Sequence, residues 1–154
     1  MLRYTVVALV LSGVCLAGEN WLAGGAYIRP TYKPPVTGWF MYINETSERV
    51  WAIGQLEAIP VKAESGDPVI EVRYQGGSAV RLVDIGPVSL LGMGAIGGAS
   101  TESYTAISGG GGILVSVSLG NWRLIVPVSF TNSSKSQYAI TAGIGFAIKP
   151  SKVY

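Results

Sequence analysis

Residues 110–149 read GGGILVSVSLGNWRLIVPVSFTNSSKSQYAITAGIGFAIK, and three consecutive segments in this stretch alternate residue character with a period of two. Successive side chains of a β-strand point to opposite faces, so the period predicts strands, and three in a row predict a β-meander. In Tyr138–Ile148 one parity holds Tyr138, Ile140, Ala142, Ile144, Phe146 and Ile148; the other holds Ala139, Thr141, Gly143, Gly145 and Ala147. Trp122–Phe130 repeats the pattern, with Trp122, Leu124, Val126, Val128 and Phe130 against Arg123, Ile125, Pro127 and Ser129. Ile113–Leu119 sets Ile113, Val115, Val117 and Leu119 against Leu114, Ser116 and Ser118, and the two-residue link Gly120-Asn121 suits a tight hairpin. A soluble sheet turns its bulky face inward, whereas a bulky outside around a small or polar inside is the pattern of a transmembrane barrel. Parity alone admits both.

The chain has 154 residues, 49% hydrophobic and 13% charged, with 21 glycines and a formal charge of +2. This suits one domain and argues against a disordered or nucleic-acid-binding protein. Residues 1–18 have the form of a secretory signal: Arg3 supplies the positive start, Val6–Val14 the apolar run and Cys15-x-Ala17 the small-x-small cleavage site. Cleavage after Ala17 is expected, which makes residues 1–17 a signal peptide and 18–154 a β-barrel domain. The apolar run is too short to cross a bilayer as a helix, which takes about 20 residues. Cys15 is the one cysteine and would leave with the signal; a lipid-modified cysteine wants a small residue before it, where Val14 stands. The remaining chain has neither thiol nor histidine, which excludes disulfides, Cys/His metal sites and histidine-based catalysis.

Working back to the start, Trp21–Arg29, Thr37–Asn44 and Arg49–Ile59 read as three strands, with Gly24-Gly25 permitting a bend and Gly54 marking a possible bulge. Pro60–Pro68 reads as a charged loop. From Val69 to Ile85 the parity holds throughout, and Gly76-Gly77-Ser78 is either a hairpin turn or, as preferred here, a glycine kink in one long strand. Val88–Gly98 is a further glycine-rich strand, Ala99–Ala106 a polar loop, and Gly109–Gly112 a bend leading into the meander. The fold expected is all-β: an up-and-down antiparallel β-barrel of about eight strands, nine if the kink is a turn. Closure would also remove the exposed edges that so hydrophobic a sheet could not leave open.

The last strand carries Thr141-x-Gly143-x-x-Phe146-x-Ile148, which resembles the C-terminal signal of bacterial outer-membrane β-barrel proteins. The motif departs from the usual one in ending on Ile148 instead of an aromatic, and residues 150–154 trail after it. With the signal sequence and the alternating strands, the whole chain resembles the small porin-like or outer-membrane-protein-like barrels. The resemblance implies residence in the bacterial outer membrane, with membrane lipid and the barrel-assembly machinery as partners. It carries over no activity, cofactor or metal.

Several features invite chemical readings. Gly109–Gly112 lacks the Gly-Lys-Ser/Thr ending of a phosphate loop. Glu71, Arg73, Arg81 and Arg123 share one parity and are expected to pair as a charge cluster in a narrow lumen, with Glu57 a possible member, because buried charges need partners. A carboxylate pair for glycosidic chemistry among Glu57, Glu64, Asp67 and Glu71 has no spacing to recommend it. Trp21, Trp39, Tyr42, Trp51, Tyr74, Trp122 and Tyr138 could stack on sugars but also suit aromatic girdles at the membrane interfaces. The tripeptides beginning at Asn44 and Asn132 match a glycosylation sequon, which matters only in a eukaryotic source. The expectation is therefore an outer-membrane barrel with a structural, interaction or limited transport role, and no enzyme. The alternative is a secreted or periplasmic soluble barrel or sandwich that binds an apolar ligand or carbohydrate.

Overall fold

Each alternating segment forms a strand in the computed structural model, which describes residues 19–28, 36–62, 66, 68–134 and 139–149. In order these are β1 (Glu19–Ile28), β2 (Val36–Glu45), β3 (Val50–Lys62), β4 (Pro68–Ile85), β5 (Val88–Ser100), β6 (Thr105–Leu119), β7 (Trp122–Ser133) and β8 (Ala139–Ile148). Every strand pairs antiparallel with the next, and β1 pairs with β8, so the sheet is a closed eight-stranded barrel. A row of register partners starting at Trp21 passes Ile43, Ile53, Gly77, Ala95, Gly110 and Thr131 and ends at Ala139. It climbs from the beginning of β1 to the beginning of β8, which is the stagger that tilts the strands of a barrel.

The connections 46–49, 86–87 and 120–121 lie at one end of the barrel, the turn end; the 101–104 connection and the last residues of β1, β3 and β7 lie at the other, the loop end. Gly86 and Gly120 have φ of 58° and 71°, and no non-glycine residue described has a positive φ. Both two-residue turns therefore carry their glycine at the first central position, the geometry whose twist matches a hairpin.

The apolar parity faces outward. Phe40, Leu56, Ile70, Ile96, Ile107, Ile113, Trp122, Phe130, Ile140, Ile144 and Phe146 are all exposed. Leu124 and Val126 share this outer parity and are half-buried. Among the residues whose burial is described, the outward positions of the strands hold no charged residue. The soluble alternative required the greasy parity inside, and the structure has it outside. The inside is packed by two kinds of side chain: Trp21, Met41, Ile43, Trp51, Ile53, Leu91, Leu114 and Ile125 form an apolar core, and polar groups occupy the rest.

Bulk on β1–β3 is matched by absence of bulk elsewhere. A Cβ on Gly145 would come within 2.4 Å of the Gly24 carbonyl oxygen and 2.6 Å of the Trp39 ring. A Cβ on Gly97 would come within 2.0 Å of the Tyr74 carbonyl oxygen. Tight curvature drives these backbones together, and only glycine fits there.

Four expectations need correction. Gly109–Gly112 is not a bend but the middle of β6, and the loop before it shrinks to residues 101–104. The third strand runs on through Pro60 to Lys62, since Pro60 can sit opposite Ile70 while the ladder continues to Pro68. The parity of β4 does not persist to Ile85: the register shifts between Arg81 and Val83, opposite Leu91 and Leu90. This β-bulge turns Val83 and Ile85 outward and Asp84 toward the inside, keeping a carboxylate off the apolar wall. Trp21, Trp39 and Trp51 are not girdle residues; all three are buried in the lumen. Gly76-Gly77-Ser78 lies within one continuous β4, as preferred from the sequence. The proposed signal peptide, Cys15, Glu64, Asp67 and Tyr138 fall outside the described residues.

Candidate functional site in the barrel lumen

Charges stand inside this barrel because their strands alternate and the outer face is reserved for apolar groups. At the loop end, Arg73 Nε donates to Glu71 Oε1 at 2.6 Å, and both side chains are completely buried. Arg73 Nη1 donates to Thr131 Oγ1 on β7 at 3.1 Å, and the Tyr104 hydroxyl, from the 101–104 connection, donates to Glu71 Oε2. Glu57 lies opposite Arg73 in the register and is also buried. Below this group, Gln75 Nε2 donates to Ser108 Oγ at 2.6 Å, and the hydroxyls of Ser129 and Thr141 bond at 2.6 Å. A void among Ile53, Gln55, Gln75, Met93, Gly110 and Thr131 measures about 10 Å³, room for one water at most.

At the turn end the arrangement differs. The Arg123 guanidinium carbon lies 4.2 Å from the Trp21 ring centre and 5.0 Å from that of Trp51, and Arg81 lies 5.3 Å from the Trp51 centre. Trp51 thus contacts both cations, and such contacts strengthen when desolvated. Arg123 Nη1 forms an ion pair with Glu45 Oε1 on β2, without the angle of a directed hydrogen bond. Arg81 Nη1 lies 3.6 Å from Asp84 Oδ2, and Ser89 Oγ donates to Asp84 Oδ1 at 2.6 Å.

The four residues expected to form one cluster are therefore divided. Glu71 and Arg73 meet; Arg81 and Arg123 belong to the opposite end and pair with Asp84 and Glu45. Sequence reasoning missed Thr131, Tyr104, Glu45 and Asp84. The first two come from across the lumen or from a loop, and Asp84 is brought in by the bulge. In the C-terminal motif, Thr141 and Gly143 have the inner parity, while Phe146 and Ile148 face out and are exposed.

Comparison with protein-family models gave no match, nor did comparison with curated proteins. Among solved structures, the crystal structure of Ail, the attachment invasion locus protein of Yersinia pestis, is similar with a TM-score of 0.52 and 17% identity. That alignment covers 86% of this chain and 97% of Ail. These structures are small outer-membrane barrels, and this chain has their fold. Ail in phospholipid bilayer nanodiscs gives a TM-score of 0.52 at 15% identity, over 85% of this chain and 99% of the other. Ail in complex with the heparin analogue sucrose octasulfate gives 0.53 at 15%, over 86% and 97%.

Proposed function

We propose that this chain is a bacterial outer-membrane β-barrel protein, exported by residues 1–17, with a structural or interaction role and no catalytic centre. One observation carries the reading: the outer wall is apolar and almost uncharged, while the ionised groups lie in the lumen or at the rims. Water favours the reverse arrangement, and hydrocarbon favours this one. In that setting the short turns lie in the periplasm and the loop end faces outward. The Ail name links that neighbour to attachment and invasion. Here the 101–104 connection is short and sends Tyr104 toward Glu71, which favours a role for the wall and lumen over loop-borne adhesion. The carboxylates Glu57 and Glu71 are sealed among their partners, which supports a non-enzymatic reading. With so small a void, free conduction is not expected either.

The experiment is fractionation followed by electrophoresis with and without heating. The protein should sediment with outer membranes and migrate faster when unheated. Recovery in the soluble fraction without detergent would refute the proposal.

A further inference from the structure

The turn-end cluster has more donors than acceptors. Trp21 Nε1, Trp51 Nε1, Arg81 Nε and Arg123 Nε are all buried atoms with no hydrogen-bond acceptor in the structure, against one buried acceptor there that receives no hydrogen bond, Glu45 Oε1. A buried donor left unpaired costs its full desolvation, so four in one cluster need a physical reason. They belong together, since Arg123 lies against both indoles and Arg81 against Trp51. The loop-end group is the internal control, because there the Arg73 Nε donor is bonded to Glu71.

The charges are also unevenly placed. In the Arg123–Glu45 pair the side chains are 10% and 16% exposed, and in Arg81–Asp84 they are 25% and 49% exposed. In each pair the cation is the deeper member. Water screens Asp84 more than Arg81, which leaves Arg81 the less compensated of the two cations. Each guanidinium has five N–H donors, and one carboxylate can take at most two of them.

We infer that the Trp21–Trp51–Arg81–Arg123 cluster is a binding site for a small free oxyanion of the phosphate or sulfate type, entered from the turn end of the lumen. Such an ion brings several acceptor oxygens, matches the donor set and neutralises the deeper charge. The site lies behind the barrel wall, so a lipid headgroup on the outer face does not reach it.

The test uses the folded protein in neutral detergent micelles, with sodium phosphate as the probe and sodium chloride at matched ionic strength as the reference. Thermal unfolding is followed by tryptophan fluorescence, to which Trp21 and Trp51 contribute two of the four indoles. The expected result is a rise in unfolding temperature that saturates with phosphate, together with a change in native emission. A general salting effect would instead grow without saturating. Arg81→Gln and Arg123→Gln should lose the saturable part. Lys149→Gln, which removes only the exposed pair with Glu19, should keep it. Should Arg123→Gln fail to fold, Arg81→Gln alone decides, because its side chain is nearer the solvent. Equal unfolding of the parent in phosphate and chloride, or an undiminished saturable response in Arg81→Gln, overturns the inference and leaves ordered water as the acceptor.

Discussion

Glu71 and Arg73 are two residues apart on one strand, and the lumen forces them to satisfy each other. Replacing Glu71 with Ala leaves the buried Arg73 guanidinium with fewer partners and should cost up to about 3–5 kcal/mol of stability. Replacing Glu71 and Arg73 together with Met should be much better tolerated. Urea unfolding of the three proteins checks this, and parental stability in Glu71→Ala would show the pair to be inconsequential. Glycines supply a second contrast. Gly97→Ala drives a methyl into the Tyr74 carbonyl and should cost about 1–3 kcal/mol. Gly76→Ala meets nothing within 4 Å and should stay within about 0.5 kcal/mol of the parent in the same assay. Gly76 stands on the outward parity of β4 and Gly97 on the inward parity of β5, where curvature crowds the Cβ positions; the glycine-rich sequence of β5 hides that parity. The lumen tryptophans were illegible for a related reason. In residues 37–44, TGWFMYIN, both parities are bulky, so alternation does not say which side Trp39 takes. The answer lies on β8, one strand beyond β1, in the space left by Gly145.

Strands were the most legible level, since β7, β8 and the second half of β6 alternate and the β6–β7 hairpin is fixed by Gly120-Asn121; the glycine run in the first half of β6 hid the rest of that strand. Ile144 stands on the exposed parity of β8, so Ile144→Arg should cost about 2–4 kcal/mol near the bilayer midplane. Refolding into vesicles with parental stability would reverse the assignment of faces. The bulge in β4 was not legible, because Leu82 and Val83 are both apolar and either could face out. Deleting Leu82 removes the extra residue of the bulge and restores plain alternation, with Val83 and Ile85 still outward and Asp84 still inside. The deletion should therefore keep the folded fraction seen on unheated gels close to the parent's, and loss of the fast-migrating form would show that the extra residue itself is needed there.

At the scale of the molecule, the number of strands could be counted from the sequence, but the pairing of Leu22–Ile28 with Ala142–Ile148 could only be supposed from the problem of open edges. Gly145 lies in that seam, so Gly145→Val should block closure and abolish the fast-migrating unheated form while leaving export intact. The partners of Arg123 were hidden by the same gap, since the barrel must close before β7 can face β2. Closure also has a genetic corollary. Lys149 Nζ lies 2.5 Å from Glu19 Oε1, so the last and first described residues of the wall are neighbours at the turn end. A barrel of nearest-neighbour hairpins then has no privileged first strand. Joining 149 to 19 by a short linker and reopening the chain between Gly120 and Asn121 should yield a circular permutant with the same wall and lumen, in which β6 and β7 become the last edges to meet.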